Sequence, residues 1–418
     1  MINMFLELKD RGLIKDSSGE KELTELFKKR QTVYCGFDPS AKSMHVGNFL
    51  LISMLMRLQR AGHRIIAVVG GGTGMIGDPS GKLTERRFLS SADVEENTNA
   101  VRKQLEKFIN FEDPEKGLIV NNYDWLSKMS LLDYLREAGR YFQIGYLLGK
   151  EVISSRLETG ISYSEFSYTV IQGYDFKYLY DKYECKVQIG GSDQWGNLTS
   201  GMDLIRKSSE GKDSAEVFVA PLILRSDGKK FGKSEDGALF LDPNLTSPFR
   251  LYQYFINVPD ADAIHYLKVF TFLSLKEVEE IEAKHLEAPH LRLAQTVLAK
   301  EMVKEIHGEE DMNDSVLTTE ALFQNRVLSL SEKQLAPLFK DPSFKLTEPT
   351  NVLDFLVSIE AATSKREARE FVTGNSISIN EEKVTDVNFV VDKNTTIENK
   401  YILVRRGKKN IFFGIYGK

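Results

Sequence analysis

The sequence predicts an α/β fold that opens with a parallel sheet covered by helices. Strand-like and helix-like stretches alternate through the first half of the 418 residues, and two of the strands run directly into glycine turns. Residues 250–325 are instead predicted to be mostly helical. Alternation of this kind is typical of βαβ units, whose ligands bind at the carboxyl ends of the strands.

The elements of that sheet follow in order. A buried strand is expected at 32–36. A helix is expected from about residue 46 to residue 60, and Gly62 lies just beyond its end as the stop signal. A second strand at 64–69 enters a glycine run, and another at 186–191 ends in a glycine turn. These runs predict several parallel strands that share one ligand-binding edge.

Further along, the chain divides into smaller parts. We expect residues 1–247 to form the sheet domain, 248–325 a helical domain, 326–348 a linker and 349–418 a small α/β module. From residue 349 onward 11 Lys/Arg face 9 Asp/Glu, so this module carries +2 while the remainder of the chain, which totals −5, carries −7. A local basic surface is therefore expected only at the end.

Composition excludes several classes of protein. Cys35 and Cys185 form neither a disulfide framework nor a zinc pattern, and no stretch approaches the roughly 20 apolar residues of a membrane span. The first residues lack the basic head and apolar run of a signal peptide. We therefore expect a cytoplasmic, multidomain protein without a membrane partner.

The glycine run at 72–77 matches G-x-G-x-x-G and, taken alone, suggests a dinucleotide site. The segment Asp78-Pro79-Ser80-Gly81 interrupts the helix that should receive a pyrophosphate, and no acidic strand end follows at about 20 positions. The overlapping run at 77–83 is not a P-loop either, because its glycine spacing is short and Leu83 stands where a metal-binding hydroxyl is needed. A dinucleotide site and a P-loop are therefore both disfavoured for this part of the chain.

Two other motifs fit phosphate chemistry. The run His-Val-Gly-Asn at 45–48 starts a helix, where free amide hydrogens, a close approach at Gly47 and the donor His45 can hold phosphates. The run Lys-Phe-Gly-Lys-Ser at 230–234 places Lys230 and Lys233 three residues apart in a polar loop, which suits a leaving polyphosphate. Taken alone, the first motif could equally be the start of a capped core helix, and the second could equally be a solvated basic loop.

Together and in this order, the two motifs resemble the HIGH and KMSKS signatures of class I aminoacyl-tRNA synthetases. The K-F-G-K-S form is similar to that of the bacterial tyrosyl enzymes, as are the blocks at 34–39, 70–82, 168–175 and 188–197. Asn48 replaces the second histidine of HIGH, and Ser40 stands where threonine is frequent. The resemblance implies a Rossmann-like catalytic domain, a helical tRNA-binding domain and a C-terminal RNA-binding module.

The resemblance also implies a catalytic set, which consists of Ser40, His45, Asn48, Lys82, Arg86, Lys230 and Lys233. The ATP-binding residues that it implies are Cys35, Gly36, Asp38, Gly47, Gly191, Asp193 and Lys233. Tyrosine carboxylate is already ionised at neutral pH, so activation needs positioning and charge stabilisation rather than a general base. Magnesium is expected to accompany ATP, and no carboxylate cluster in the sequence forms an obvious metal site.

For the amino acid, the resemblance implies a pocket made of Tyr34, Asp78, Tyr168, Gln172, Asp175, Gln188 and Gln194. Tyr34 and Asp175 match the pair that receives the phenolic hydroxyl. With phenylalanine in the pocket both partners would be buried and unpaired, which is costly. Tyr168, Gln172 and Asp175 are spaced by four and three residues, so one helix face can carry them all.

The last module resembles a small RNA-binding unit first described in a ribosomal protein. Its expected tRNA contacts are Lys365, Arg366, Arg369, Arg405, Arg406, Lys408 and Lys409, which would bind phosphates without reading sequence. The implied partners are tRNA(Tyr), L-tyrosine, ATP and a second copy of the chain, which would dimerise through the apolar run at 134–148.

Three alternatives remain open at this point. A nicotinamide-dependent oxidoreductase would rest on the glycine run at 72–77. A non-catalytic RNA-binding protein would rest on the last 70 residues and leaves His45, Lys230 and Lys233 unexplained. A tryptophanyl synthetase is a close relation, against which the pair Tyr34 and Asp175 argues.

Overall fold

The structure is a computed structural model, and it describes residues 2–80, 89–228, 231–234, 237–340, 342–407 and 410–417, the side chains of residues 233 and 234 excepted. The chain forms two compact units. Unit 1 comprises Met1–Thr246 and Val258–Leu298, and unit 2 comprises Ser247–Asn257 and Ala299–Lys418.

Unit 1 is built on a six-stranded sheet. Its strands are β1 (Asp16–Ser17), β2 (Thr32–Phe37), β3 (Arg64–Val69), β4 (Gly117–Asn121), β5 (Val187–Gly191) and β6 (Glu216–Ala220). They lie in the order β1-β6-β5-β2-β3-β4, and all neighbours are parallel except β1 and β6. The order reverses between β2 and β5, and such a switch point forms a crevice at the carboxyl ends of the strands. The predicted parallel α/β fold is confirmed.

Helices cover this sheet. They are α1 (Met4–Asp10), α2 (Glu20–Leu26), α3 (Phe49–Arg60), α4 (Ser91–Phe108), α5 (Tyr123–Leu126), α6 (Leu131–Glu137), α7 (Ile144–Leu148), α8 (Glu151–Ser154), α9 (Tyr163–Tyr183) and α10 (Trp195–Ser208). The glycine run after β3 forms only a short 3-10 turn, Thr73–Met75, where a dinucleotide site would start a long helix. The chain also makes a small hairpin of β7 (Lys233–Ser234) and β8 (Gly237–Ala238).

The helical part follows. It contains α11 (Pro248–Ile256), α12 (Asp260–Phe270), α13 (Leu275–Glu287), α14 (Leu293–His307), α15 (Glu309–Phe323) and α16 (Glu332–Leu335). Ser247 caps α11 by accepting a hydrogen bond from the Arg250 amide, and Ser274 forms a capping box with Glu277 at the start of α13. The predicted helical character of this region is confirmed.

The tail of unit 2 is a small α/β element. It comprises β9 (Phe344–Leu346), β10 (Thr350–Asn351), α17 (Val352–Ser358), α18 (Lys365–Thr373), β11 (Ile377–Ile379), β12 (Glu382–Lys383), β13 (Val390–Val391), β14 (Tyr401–Arg406) and β15 (Asn410–Tyr416). Five of these strands form one sheet in the order β12-β11-β14-β15-β9. Within the described ranges, no helix is long and apolar enough to cross a membrane.

Candidate active site

A cleft of about 320 Å³ opens at the carboxyl ends of β2 and β5, where the sheet order reverses. It gathers residues from distant parts of the chain. The predicted site residues that line it are Tyr34, Gly36, Asp38, Ser40, His45, Asn48, Asp78, Tyr168, Gln172, Asp175, Gln188, Gly191, Asp193 and Gln194.

The cleft contains polar atoms that are buried without a partner in the described residues. They are the hydroxyl of Tyr34 and the amide oxygens of Gln172 and Gln188. Leaving such a group unpaired costs about 1–3 kcal/mol each. Three of them around one cavity indicate a ligand that supplies complementary hydrogen-bonding groups.

Asp175 is held by two donors that the sequence analysis did not identify. Asn122 donates through Nδ2 to Oδ2 at 2.9 Å, and Trp125 donates through Nε1 to Oδ1 at 2.8 Å. Burial raises the pKa of Asp175 to about 7, while these two hydrogen bonds oppose the shift. Asn122 follows β4 directly, and polar residues at that strand end are the signal that could have identified it.

The hydrogen bonds continue from Asp175 to a second carboxylate. Asn122 also donates to Thr73 Oγ1 at 3.0 Å, and Thr73 donates to Asp38 Oδ1 at 2.8 Å. The hydroxyl of Tyr168 donates to Asp38 Oδ2 at 2.7 Å. This chain of hydrogen bonds fixes side chains that follow three strands, β2, β3 and β4, and side chains of α9.

Asp78 forms a second polar group at the same edge. Gln194 donates to its Oδ2 at 2.6 Å, and the Ser80 amide donates to its Oδ1 at 2.9 Å. Asp78 is buried whereas Asp193, from the turn after β5, is exposed. The arrangement suits a ligand cation beside Asp78 and a hydroxylated group near Asp193.

The turn at 45–48 forms the other end of the cleft. Asn48 accepts a hydrogen bond from the His45 amide through Oδ1 at 3.0 Å. Helix α3 begins only at Phe49, three residues later than predicted, because the Asn48 and Phe49 amides donate to carbonyls three residues earlier and form a tighter turn. The oxygen of Asn48 thus fixes the turn, and its amide nitrogen is the atom that can donate to a ligand.

The second motif packs directly against this turn. Gly232 has a φ of +75°, and a Cβ there would lie 2.6 Å from Val46 Cγ1. The Leu239 amide donates to Gly232 O at 2.9 Å, and Phe240 pairs with His45 in an antiparallel bridge. Only glycine fits at position 232, and the two motifs lie together although about 190 residues separate them.

Some predicted residues lie outside the cleft or outside the described residues. Cys35 is 1% exposed, and its Sγ lies 3.7 Å from Gly36 O; burial raises the pKa of this thiol to about 12. Gly47 lies beneath the imidazole of His45. Outside the described residues lie Lys82, Arg86, Lys230, Lys408, Lys409 and the side chain of Lys233.

The family model "tRNA synthetases class I (W and Y)" matches residues 27–324, and "Tyrosine--tRNA ligase SYY-like C-terminal domain" matches 334–413. The chain belongs to the class I tRNA synthetases. It is 46% identical over 413 residues, 98% of each chain, to "Tyrosine--tRNA ligase" of Staphylococcus carnosus. It is also 46% identical to "Tyrosine--tRNA ligase 1" of Bacillus cereus, over 97% of this chain and 98% of that one.

Solved structures of this family have the same fold. A C-terminally truncated mitochondrial tyrosyl-tRNA synthetase of Aspergillus nidulans matches with a TM-score of 0.70 and 32% identity, over 77% of this chain and 94% of that one. A tryptophanyl-tRNA synthetase of Plasmodium falciparum matches with a TM-score of 0.54 and 14% identity, over 80% of this chain and 87% of that one, which shows the fold alone. The predicted family and its enzyme class, ligases that form aminoacyl-tRNA, are confirmed.

In this synthetase the predicted tRNA contacts differ in placement. Lys365, Arg366 and Arg369 are exposed on α18, the first paired with Asp354 at 2.5 Å. Arg405 donates to Leu322 O, and Arg406 donates to Ala361 O at 2.8 Å. Arg366 also pairs with Glu370 at 3.3 Å, and these ion pairs of α18 lie at the surface, whereas the two arginines of β14 donate to backbone carbonyls.

The acidic residues near the cleft are held by other side chains and amides of the protein. In the part of the chain that the structure describes, no group of three His, Cys, Asp or Glu side chains could hold a metal ion. Asp38 and Asp78 are each engaged by hydrogen-bond donors of the protein.

Proposed function

We propose that this chain activates L-tyrosine with ATP to form tyrosyl-adenylate and pyrophosphate. The terminal ribose hydroxyl of tRNA(Tyr) then attacks the mixed anhydride, which transfers the tyrosyl group to the 3′ end and releases AMP. The observation that carries the proposal is the unpaired buried hydroxyl of Tyr34 in a pocket that also contains Asp175. A phenolic hydroxyl can donate to the carboxylate and accept from Tyr34. The tyrosine--tRNA ligases that are 46% identical over nearly the whole chain support the same function.

For the amino acid, the proposed roles follow the polarity of the cleft. Tyr34 and Asp175 bind the phenolic hydroxyl, and the side chains that hold the ammonium group are Tyr168, Gln172 and Asp78. Gln188 and Gln194 complete the pocket and the carboxylate side. Phenylalanine is rejected because it would leave Tyr34 and Asp175 buried and unpaired.

For ATP, the strand ends bind the nucleoside and the turn at 45–48 binds the phosphates. Gly36 and Gly191 let the nucleotide lie on the backbone, and the proposed partners of the ribose are Cys35 and Asp193. Because the thiol of Cys35 is buried, we assign the larger part of ribose binding to the exposed Asp193. The tyrosine carboxylate attacks the α-phosphorus. The bond between the α-phosphorus and the oxygen that bridges to the β-phosphate then breaks, and pyrophosphate leaves with that oxygen.

Charge stabilisation carries this step, since the nucleophile is already ionised. Ser40, His45 and Asn48 donate to the phosphates from the cleft. On the sequence match, Lys82, Arg86, Lys230 and Lys233 neutralise the departing pyrophosphate. Magnesium enters as part of the substrate, bound to ATP.

For tRNA, we propose that the exposed face of α18 binds phosphates, with Lys408 and Lys409 added on the sequence match. Charge reversal of Lys365, Arg366 and Arg369 should lower the rate of tRNA charging and make tRNA binding less sensitive to salt concentration. Tyrosine activation should stay unchanged. A homodimer through α6 and α7 is proposed because Leu131, Leu132 and Ile144 are about 70% exposed there. We expect a cytoplasmic location.

Tyrosine-dependent exchange of pyrophosphate into ATP tests the proposed activity. Phenylalanine and tryptophan serve as matched amino acids, and NAD binding tests the oxidoreductase alternative. The expected result is exchange with tyrosine alone. Equal exchange with all three amino acids would overturn the specificity, and no exchange at all would favour a non-catalytic RNA-binding protein.

A further inference from the structure

The segment that leads into the lysine motif is anchored on the first turn of α12. Asp262 is 6% exposed, and its two oxygens accept hydrogen bonds from the Ser226 amide at 3.0 and 3.2 Å. The Ser226 hydroxyl donates to Oδ2 at 3.2 Å. Ser226 belongs to a tight turn that is closed by the Gly228 amide on Arg225 O at 2.9 Å. One buried carboxylate therefore fixes the turn that precedes the motif by two residues.

The same helix also holds the middle of the motif. Phe231 is 8% exposed and stacks on Phe270 with ring centroids 4.6 Å apart. Its ring meets Tyr266 edge-on at 5.0 Å, and the Tyr266 hydroxyl donates to Leu224 O at 3.3 Å. Helix α12 thus contacts the segment before, at and after the turn.

Helix α12 is itself fixed at its other end. Arg11 is 4% exposed and donates to Lys268 O at 3.1 Å and Leu273 O at 2.8 Å. Arg57, on α3, donates to Thr271 O. These arginines satisfy carbonyls at the carboxyl end of the helix and complement its dipole. Because α3 begins at the turn that carries His45, one packed path joins the two motifs.

We propose that Asp262 is a positioning residue for adenylate formation. It acts through Ser226 to fix the position of the lysine motif relative to the turn that carries His45. The inference rests on the proposed function of this site. Asp262 is not one of the residues that line the cleft, so the proposed effect is transmitted through Ser226. Lys230 precedes Phe231 directly, and Lys233 follows it by two residues. Misplacing a group that acts in the transition state by about 1 Å can cost on the order of 100-fold in rate.

The first test compares Asp262→Ala with Asp260→Ala in the full-length protein. Asp260 is a matched control, because it lies in the same helical turn and pairs with Gln295 and His285 instead of Ser226. The expected result is a loss of about 10- to 100-fold in the rate of tyrosyl-adenylate formation for Asp262→Ala only. The dissociation constant for tyrosine should stay unchanged, since its pocket is built by other residues. Equal losses in both variants, or weaker tyrosine binding, would overturn the proposal.

A double-mutant cycle with Lys233→Ala separates positioning from general damage. If Asp262 acts through the lysine motif, Asp262→Ala should cost less than about threefold once Lys233 is absent. The full loss in that background would overturn the proposal. Should Asp262→Ala fail to fold, Ser226→Ala replaces it, with an expected loss of about threefold from one hydrogen bond. Wild-type protein that lacks tyrosine-dependent exchange would instead overturn the proposed function.

Discussion

The two ends of the cleft are built differently. At the end proposed to bind tyrosine, Asp175 is 3% exposed and both its oxygens are engaged by donors of the protein. At the phosphate end, Ser40 and His45 are exposed, and the lysines proposed to act with them come from separate segments. Choosing a phenol over a benzene ring requires groups that are desolvated and fixed beforehand, whereas a polyphosphate can be neutralised by cations that arrive with it.

The largest expected effect is at the phosphate end. His45→Ala should lower kcat of pyrophosphate exchange by about 10²–10³-fold, because a donor to the transition state is lost. The dissociation constant for tyrosine should not change. Lys42→Ala is the control, since Lys42 is an exposed cation three residues away that pairs with Glu96. A comparable rise in the tyrosine dissociation constant would show that the two ends are not separable.

The next effect is at the tyrosine end. Asp175→Asn should lower kcat/KM for tyrosine by roughly 100-fold, about 3 kcal/mol, because a charged buried acceptor of the phenol is lost. Activation of phenylalanine should change much less, so selectivity falls. Asp181→Asn removes an exposed carboxylate of the same helix and should have no effect. Parallel losses for both amino acids would contradict a role in selectivity.

Acid should weaken tyrosine binding through the same group. Because burial raises the pKa of Asp175 to about 7, the carboxyl is ionised at pH 8 and mostly protonated at pH 6 in the empty pocket. Tyrosine that donates to the ionised form must then displace a proton, so its dissociation constant should rise about tenfold from pH 8 to pH 6. Equilibrium dialysis measures this. Asp175→Asn should flatten the profile, and an unchanged profile in that variant would assign the titration elsewhere.

The smallest effect is expected for Tyr34→Phe. Removing the unpaired hydroxyl should lower kcat/KM for tyrosine about fivefold, about 1 kcal/mol, since one neutral hydrogen bond is lost. Phenylalanine should be activated slightly better, because no polar atom is then left unpaired. Tyr123→Phe, at an exposed tyrosine, is the control. Equal tyrosine kinetics in both variants would remove Tyr34 from the pocket.

Local sequence patterns predicted the strands that position this site but not the hydrogen bonds between its side chains. The apolar runs gave β2, β3 and β5 to within a residue or so, because strands buried in a parallel sheet are continuously apolar. Thr73, Asn122 and Trp125 were missed, since their contacts with Asp38 and Asp175 depend on which strand ends meet. Asp262 was missed for the same reason, because it bonds to Ser226 across 36 residues.

The resemblance to known enzymes supplied roles that local pattern could not. It did not reveal how individual side chains are engaged. Cys35 and Arg405 belong to recognised blocks, yet the first is buried below the cleft and the second already donates to Leu322 O. Burial and prior hydrogen bonding are properties of the folded chain, and a motif match does not report them.

In unit 2 the terminal α/β element is packed against the helices that precede it, which limits where the chain can be joined in a chimera. Glu381 accepts from the Val327 amide, Phe339 stacks on Tyr401 at 4.5 Å, and Arg405 bonds to Leu322 O. The terminal α/β element and the helices before it therefore share one core and should melt as one cooperative block. A chimera that exchanges this element needs its junction ahead of α15, because a cut at residue 349 would separate Val327, Leu335 and Phe339 from the Tyr401 side of their shared core.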